Sequence, residues 1–142
     1  MRRVENWEGR LHAIVEKYRV ETLSWGSFDC VLFAMDAIDA IVKDSDMASA
    51  WRGKYSSKDG ADDILKKWGG SVLACVTDHL GKEQEVAFTK RGDIVGSSRF
   101  TIDDHDMACG VCIGMFGAFI TIKGVQLLGI DELDHSWPIG WD

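Results

Sequence analysis

The chain predicts an α+β fold, with its helices first and its strands afterwards. Two observations carry this. Through residues 5–81 the apolar side chains recur at three- and four-residue spacing, as on the buried stripe of a helix. From about residue 85 the apolar runs turn short and β-branched and are separated by glycine or charge, as in the strands of an antiparallel sheet. No repeat, low-complexity tract or linker divides residues 1–142, so one domain is expected.

The first helix covers residues 5–19, where Trp7, Leu11, Ile14, Val15 and Tyr18 form one stripe and Glu8, Arg10, Glu16 and Lys17 the other side. His12 lies beside the stripe and reads as a surface histidine. The second helix begins in S-W-G-S-F-D-C-V-L-F-A-M-D, residues 24–36, with Cys30 in its first turn. Val31, Ala34, Met35, Ile38, Ile41 and Val42 follow helical spacing, Asp36, Asp39 and Lys43 mark the opposite face, and Leu32 and Phe33 make its start apolar all round. It is therefore expected to be central and buried. A polar break and a short helical piece with Met47 and Trp51 follow. Ser57 or Asp59 caps a third helix lined by Ala61, Ile64, Leu65 and Trp68, and Ser71 caps a fourth with Val72, Val76 and Leu80 inward and Gly81 at its end.

Strands are expected in E-V-A-F, G-D-I-V-G, A-C-G-V-C-I-G, A-F-I-T-I and V-Q-L-L-G-I. The ending H-S-W-P-I-G-W-D adds a further strand, and Pro138 confines it to an edge or a strand's start.

Composition narrows the function. A net charge of −7 lacks the clustered Lys and Arg that a nucleic-acid partner requires. No apolar stretch reaches the roughly 18 residues of a membrane span, and Met1-Arg2-Arg3 is followed by no apolar run that would make a secretion leader. The expectation is a protein made in the cytoplasm with Cys30, Cys75, Cys109 and Cys112 reduced.

Cys109 and Cys112 form C-x-x-C with His105 close before it, which raises a zinc or redox site. Side chains three apart in a strand point to opposite faces, so the two thiols diverge and no metal is expected. The acidic loop Asp103, Asp104, His105 and Asp106 lacks the glycine and final glutamate of a calcium loop. No phosphate-binding or dinucleotide motif is present, and no cofactor is expected.

Cys30 is the remaining candidate. A helix N-terminus stabilises a thiolate, which would make Cys30 a nucleophile; free cysteine is equally a common small core residue. A thiol nucleophile needs an imidazole within hydrogen-bond reach and a polar group to orient it. His105 and His135, each preceding a strand, are the candidates for that base.

Taken in order, W-G-S-F-D-C-V-L-F-A, R-G-K-Y, G-G, G-D-I-V, A-C-G-V-C-I-G and W-P-I-G-W resemble a family of small proteins encoded among phage and prophage tail genes. That family is similar to the NlpC-type papain-fold peptidases, which cut peptide stems of the bacterial cell wall. The resemblance implies a papain-like domain whose helical half packs on an antiparallel sheet or half-barrel of four to six strands. It places the nucleophile on Cys30 after Asp29, puts Trp25, Gly26 and Asp29 in the substrate cleft, and matches Gly92-Asp93 to the G-D that opens the first core strand. Within H-x-G-[IV]-x-[ILV]-G, the positions Gly110, Val111, Ile113 and Gly114 keep the frame, but the catalytic histidine's place falls on Ala108. Two functions follow as expectations. The first is a catalytically degenerate component of a phage-like tail tip or baseplate, docking on hub or distal-tail proteins in a virion tail or tail-like particle. The alternative is an active cysteine peptidase cleaving peptidoglycan, with Cys30 as nucleophile and His105 or His135 as base.

Overall fold

The computed structural model describes residues 2–101 and 105–140. Asp103 and Asp104 of the acidic loop, and the terminal Trp141 and Asp142, lie outside them. Among the described residues, four helices are followed by one five-stranded antiparallel sheet, as the sequence pattern predicts. The helices are α1 (Trp7–Arg19), α2 (Cys30–Ile41), α3 (Lys58–Lys67) and α4 (Val72–Leu80). The strands are β1 (Ile94–Ser97), β2 (Ala108–Cys112), β3 (Phe116–Thr121), β4 (Gly124–Gly129) and β5 (His135–Trp137). Their order is β4-β3-β2-β1-β5, so β5, with Pro138 at its end, is indeed an edge strand.

Three of the four helix starts, those of α2, α3 and α4, are fixed by a side chain that satisfies an otherwise unpaired N–H, whereas Asn6 before α1 makes no such bond. Asp29 Oδ1 accepts from Leu32, Ser57 Oγ from Gly60 and Ser71 Oγ from Ala74, at 2.9–3.1 Å. Asp29, the residue before Cys30, is thus also the cap of α2. Helix α2 buries ten of its twelve residues against α1 on one side and β2 on the other. Its two polar positions are tethers, where the spacing alone suggested a solvent face. Asp36 takes Tyr18 Oη at 2.6 Å and both terminal nitrogens of Arg52, and Asp39 takes Ser45 Oγ with the backbone N–H groups of Met47 and Ala48.

The sheet is buried on both faces. Cys109, Val111, Ala118, Ile120 and Trp137 join the helical core, while Val95, Ala108, Cys112, Phe119, Leu128 and Leu133 form a smaller core on the far side. Cys109 and Cys112 thus lie on opposite faces, as period-two alternation requires.

The segment E-V-A-F departs from expectation. Val86–Phe88 is a single 3₁₀ turn, whose Val86 packs on the far-side core while Phe88 is exposed. Its β-branched content mimics a strand, but its backbone closes on itself, Phe88 N–H donating to the Glu85 carbonyl and Thr89 N–H to the Val86 carbonyl, and it joins no strand of the sheet. The stretch 43–57 is mostly turns around one 3₁₀ turn at Ala48–Ala50, flanked by Met47 and Trp51, the polar break and short helical piece expected there.

Before β1, Asp93 is fully buried and ties three distant segments together. Its Oδ1 accepts from Ile139 N–H at 3.1 Å and from Arg3 at 3.3 Å, and its Oδ2 accepts from Gln84 Nε2 and Lys90 N–H. Arg3 also donates to the carbonyls of Ile139 and Arg91 and lies over the Trp7 ring. Removing one member of a buried pair strands the other charge. Asp93→Ala is therefore expected to lower the unfolding free energy by about 3–5 kcal/mol, read from urea denaturation, and to loosen both chain ends in amide exchange.

Candidate functional site

The candidate site forms where the segment 24–30 turns into α2. Gly26 has φ +81°, and a Cβ on it would lie 1.9 Å from the Tyr55 carbonyl oxygen, so only glycine fits this approach. Gly53 N–H donates to the Gly26 carbonyl at 3.0 Å, pinning R-G-K-Y against W-G-S-F-D-C. Asp29 closes the arrangement. It is 2% exposed, and besides capping α2 its Oδ2 accepts from Gly26 N–H at 3.0 Å and from the Tyr55 hydroxyl at 2.5 Å. Burial first, then the Asp29 carboxylate, raises the Tyr55 pKa, so its phenol stays a donor.

Cys30 stands at the first position of α2, as the sequence indicates, but it is 5% exposed. It borders a cavity of about 10 Å³ together with Trp25, Asp29, Trp51, Tyr55 and His105. That volume is at the lower limit for a single water. No peptide segment fits there.

The sheet residue that meets Cys30 is Cys109. Its thiol donates to the Cys30 carbonyl oxygen at 3.2 Å. Hydrogen bonding to the Cys30 side chain and burial both hold the Cys109 thiol well above its ordinary pKa. Cys75, on α4, is pushed up to about 12 by burial and by the charges of Asp78 and Cys30. Cys112, on the far face, is raised by burial. Ala108, where the resemblance puts the catalytic histidine, belongs to the far-side core and turns away from Cys30.

The two candidate bases part company. His105 lines the Cys30 cavity, edge-on to Trp25 with ring centroids 5.9 Å apart. Its Nε2 engages Asp62 Oδ1 at 2.7 Å, and Asp62 is held below its usual pKa by Lys58 first and then by His105. His135 sits on β5, its Nδ1 on Glu83 at 2.6 Å and its ring stacked on Trp137. It pairs with Gly96, which pairs in turn with Cys109, so it lies two strands, about 10 Å, from that thiol.

Sequence reasoning missed Tyr55, Asp62 and Cys109 as members of this site. R-G-K-Y carried a signal, a tyrosine after a glycine turn, but its partner Asp29 is 26 residues away. Among the described residues, no group of three His, Cys, Asp or Glu could hold a metal ion.

The family described as "Domain of unknown function (DUF6950)" matches residues 2–139. No curated protein and no solved structure matches the chain.

Two outcomes follow from this geometry. Asp29→Ala removes a cap worth about 1 kcal/mol and leaves buried donors on Gly26 and Tyr55 unmatched; the total loss should reach about 3 kcal/mol or more in urea denaturation. Tyr55→Phe, which removes one donor without a vacancy, should cost about half of that. In alkali, folding favours the neutral form of the buried thiols and phenols. For Cys75 this stabilisation is complete below its ordinary 9.0 and is lost as pH rises toward about 12. Cys109, Cys112 and Tyr55 shift in the same direction, so the urea midpoint should fall steadily above pH 9.0.

Proposed function

The chain belongs to the DUF6950 family, and we propose that it is a catalytically degenerate, NlpC-like papain-fold component of a phage-like tail tip or baseplate that works by docking on hub or distal-tail proteins. The observation that supports degeneracy best is the pairing of Cys30 with Cys109. Where acyl transfer needs an imidazole facing the nucleophile, the strand offers a thiol that bonds to the Cys30 backbone, and the separate cavity that Cys30 borders holds only about 10 Å³. The tail assignment rests on the ordered resemblance of W-G-S-F-D-C, R-G-K-Y, G-D-I-V and A-C-G-V-C-I-G to tail-gene proteins. The α+β order, with α2 packed on β2, is compatible with a papain-like arrangement.

One observation favours the second reading. His105 borders the Cys30 cavity with its imidazole oriented by a carboxylate, the relation a general base has to its third partner. In that reading, after Trp25 moves to open the cavity, the Cys30 sulfur adds to a stem-peptide carbonyl while His105 takes the thiol proton. His105 returns that proton to the amine as the C–N bond breaks, and water then hydrolyses the thioester to release the acid and restore the thiol.

Incubating the purified protein with peptidoglycan and following released stem peptides by mass spectrometry separates the two. Degeneracy predicts no release, and slow iodoacetamide labelling at neutral pH at all four cysteines, which are buried. Release abolished by both Cys30→Ser and His105→Ala would establish the enzyme instead. For the docking half, the protein should co-elute with purified hub or distal-tail protein in size exclusion; separate elution from both would refute it.

A further inference from the structure

All four cysteines are free, and the fold does not bring together the two that their spacing suggests. Within C-x-x-C, Cys112 faces the far side of the sheet, where its thiol donates to the Gly114 carbonyl at 3.2 Å. Cys109 faces the helices. Its sulfur lies 3.2 Å from the carbonyl oxygen of Cys30, an atom two bonds from the Cα that carries the Cys30 side chain, and the two thiols are close enough to share a hydrogen bond. Cys75, on α4, turns instead to its own helix, with His79 Nδ1 3.8 Å from its sulfur.

A disulfide can form without backbone rearrangement only between residues whose main chains are in near contact. The first residue of α2 and the strand β2 on which α2 packs stand in that relation, since the side chain of one cysteine already touches the backbone of the other. From this contact we infer that Cys30 and Cys109 are a paired oxidation site, which hydrogen peroxide converts to an intramolecular disulfide joining α2 to β2.

The two sulfurs take different parts. Cys30 is 5% exposed and borders the small cavity walled by Trp25 and His105, whereas Cys109 is wholly enclosed. Cys30 therefore meets the oxidant when that wall opens. Its sulfur attacks one peroxide oxygen, the O–O bond breaks, and the departing hydroxide leaves as water with the thiol proton, giving a sulfenic acid. Cys109 then attacks the Cys30 sulfur. The S–S bond forms, the S–O bond breaks, and hydroxide leaves as a second water with the Cys109 proton. Two thiols have lost two electrons and one peroxide has become two waters. Burial slows the first step, but the second joins groups already held together. The bridge links residues 79 apart, and closing so long a loop restrains the unfolded chain, so oxidation should stabilise the fold. The inference is independent of the docking reading; in the peptidase reading it describes a state in which the nucleophile is withdrawn.

Treating the reduced protein with hydrogen peroxide, alkylating it in denaturant and mapping its peptides by mass spectrometry tests this. Two of the four thiols should escape alkylation, in a Cys30–Cys109 linked peptide that dithiothreitol cleaves, and the urea midpoint of the oxidised protein should rise. Cys109→Ala should leave Cys30 as a sulfenic acid captured by dimedone on unfolding, Cys30→Ala should leave Cys109 reduced, and Cys75→Ala should form the bridge as the wild type does. Four alkylated thiols after oxidation, a linked peptide containing Cys75 or Cys112, links only between molecules, or a urea midpoint that does not rise would overturn the proposal. The wild-type map decides the matter even where a variant does not fold.

Discussion

The Asp29 carboxylate is the constraint on which the rest of the candidate site depends. One oxygen terminates α2 by accepting from Leu32, and the other holds the Gly26 turn and the Tyr55 hydroxyl. A single buried group thereby fixes the helix start, the loop before it and a segment that is distant in sequence. Charge-assisted bonds of this kind are stronger than neutral ones, and a buried carboxylate demands them. Cys30 takes its position from this network. It is placed where a nucleophile would be placed by an arrangement that has a sufficient structural reason to exist without one.

The same logic extends along α2. Asp36 binds Tyr18 and Arg52, and Asp39 gathers the turn after the helix. Three carboxylates on an otherwise apolar helix thus connect it to α1, to the 45–48 turn and to the 52–55 segment. Desolvation is non-directional, so it can bury this helix in several ways; the three acceptors select one. Arg3 and Asp93 do for the chain termini what Asp29 does for α2.

Much of this was legible in the sequence because it is local. Helical spacing, the serines before α3 and α4, and the alternation that separates Cys109 from Cys112 each depend on a few neighbouring residues. The failures are those of long range. E-V-A-F has strand-like residues, yet a strand requires a partner, and no local pattern reveals that these residues close into a 3₁₀ turn instead of pairing with the sheet. Asp36 and Asp39 look like a solvent face until Arg52 and the 45–48 turn fold onto them. At the site, Asp29 and Cys30 stood out as neighbours, whereas Tyr55, Asp62 and Cys109 come from three other elements and carry no mark that assigns them there.

Sheet parity sharpens what the missing imidazole means. A strand shows one of every two residues to a given face, so a motif aligned by identity can still be aimed at the wrong layer. Ala108 is such a case: it packs with Val95, Cys112 and Phe119, and a histidine in its place would enter that far-side core. Gly110 has no room either, since a Cβ there would lie 2.1 Å from the Ala118 carbonyl oxygen. The position on β2 that reaches Cys30 is Cys109, whose thiol is already bonded to the helix backbone. A base could then come only from outside the sheet, and His105 is the one histidine bordering the cavity among its described lining residues. Whether this chain can do chemistry therefore turns on the Trp25 and His105 wall, and not on the strand that carries the family-like motif.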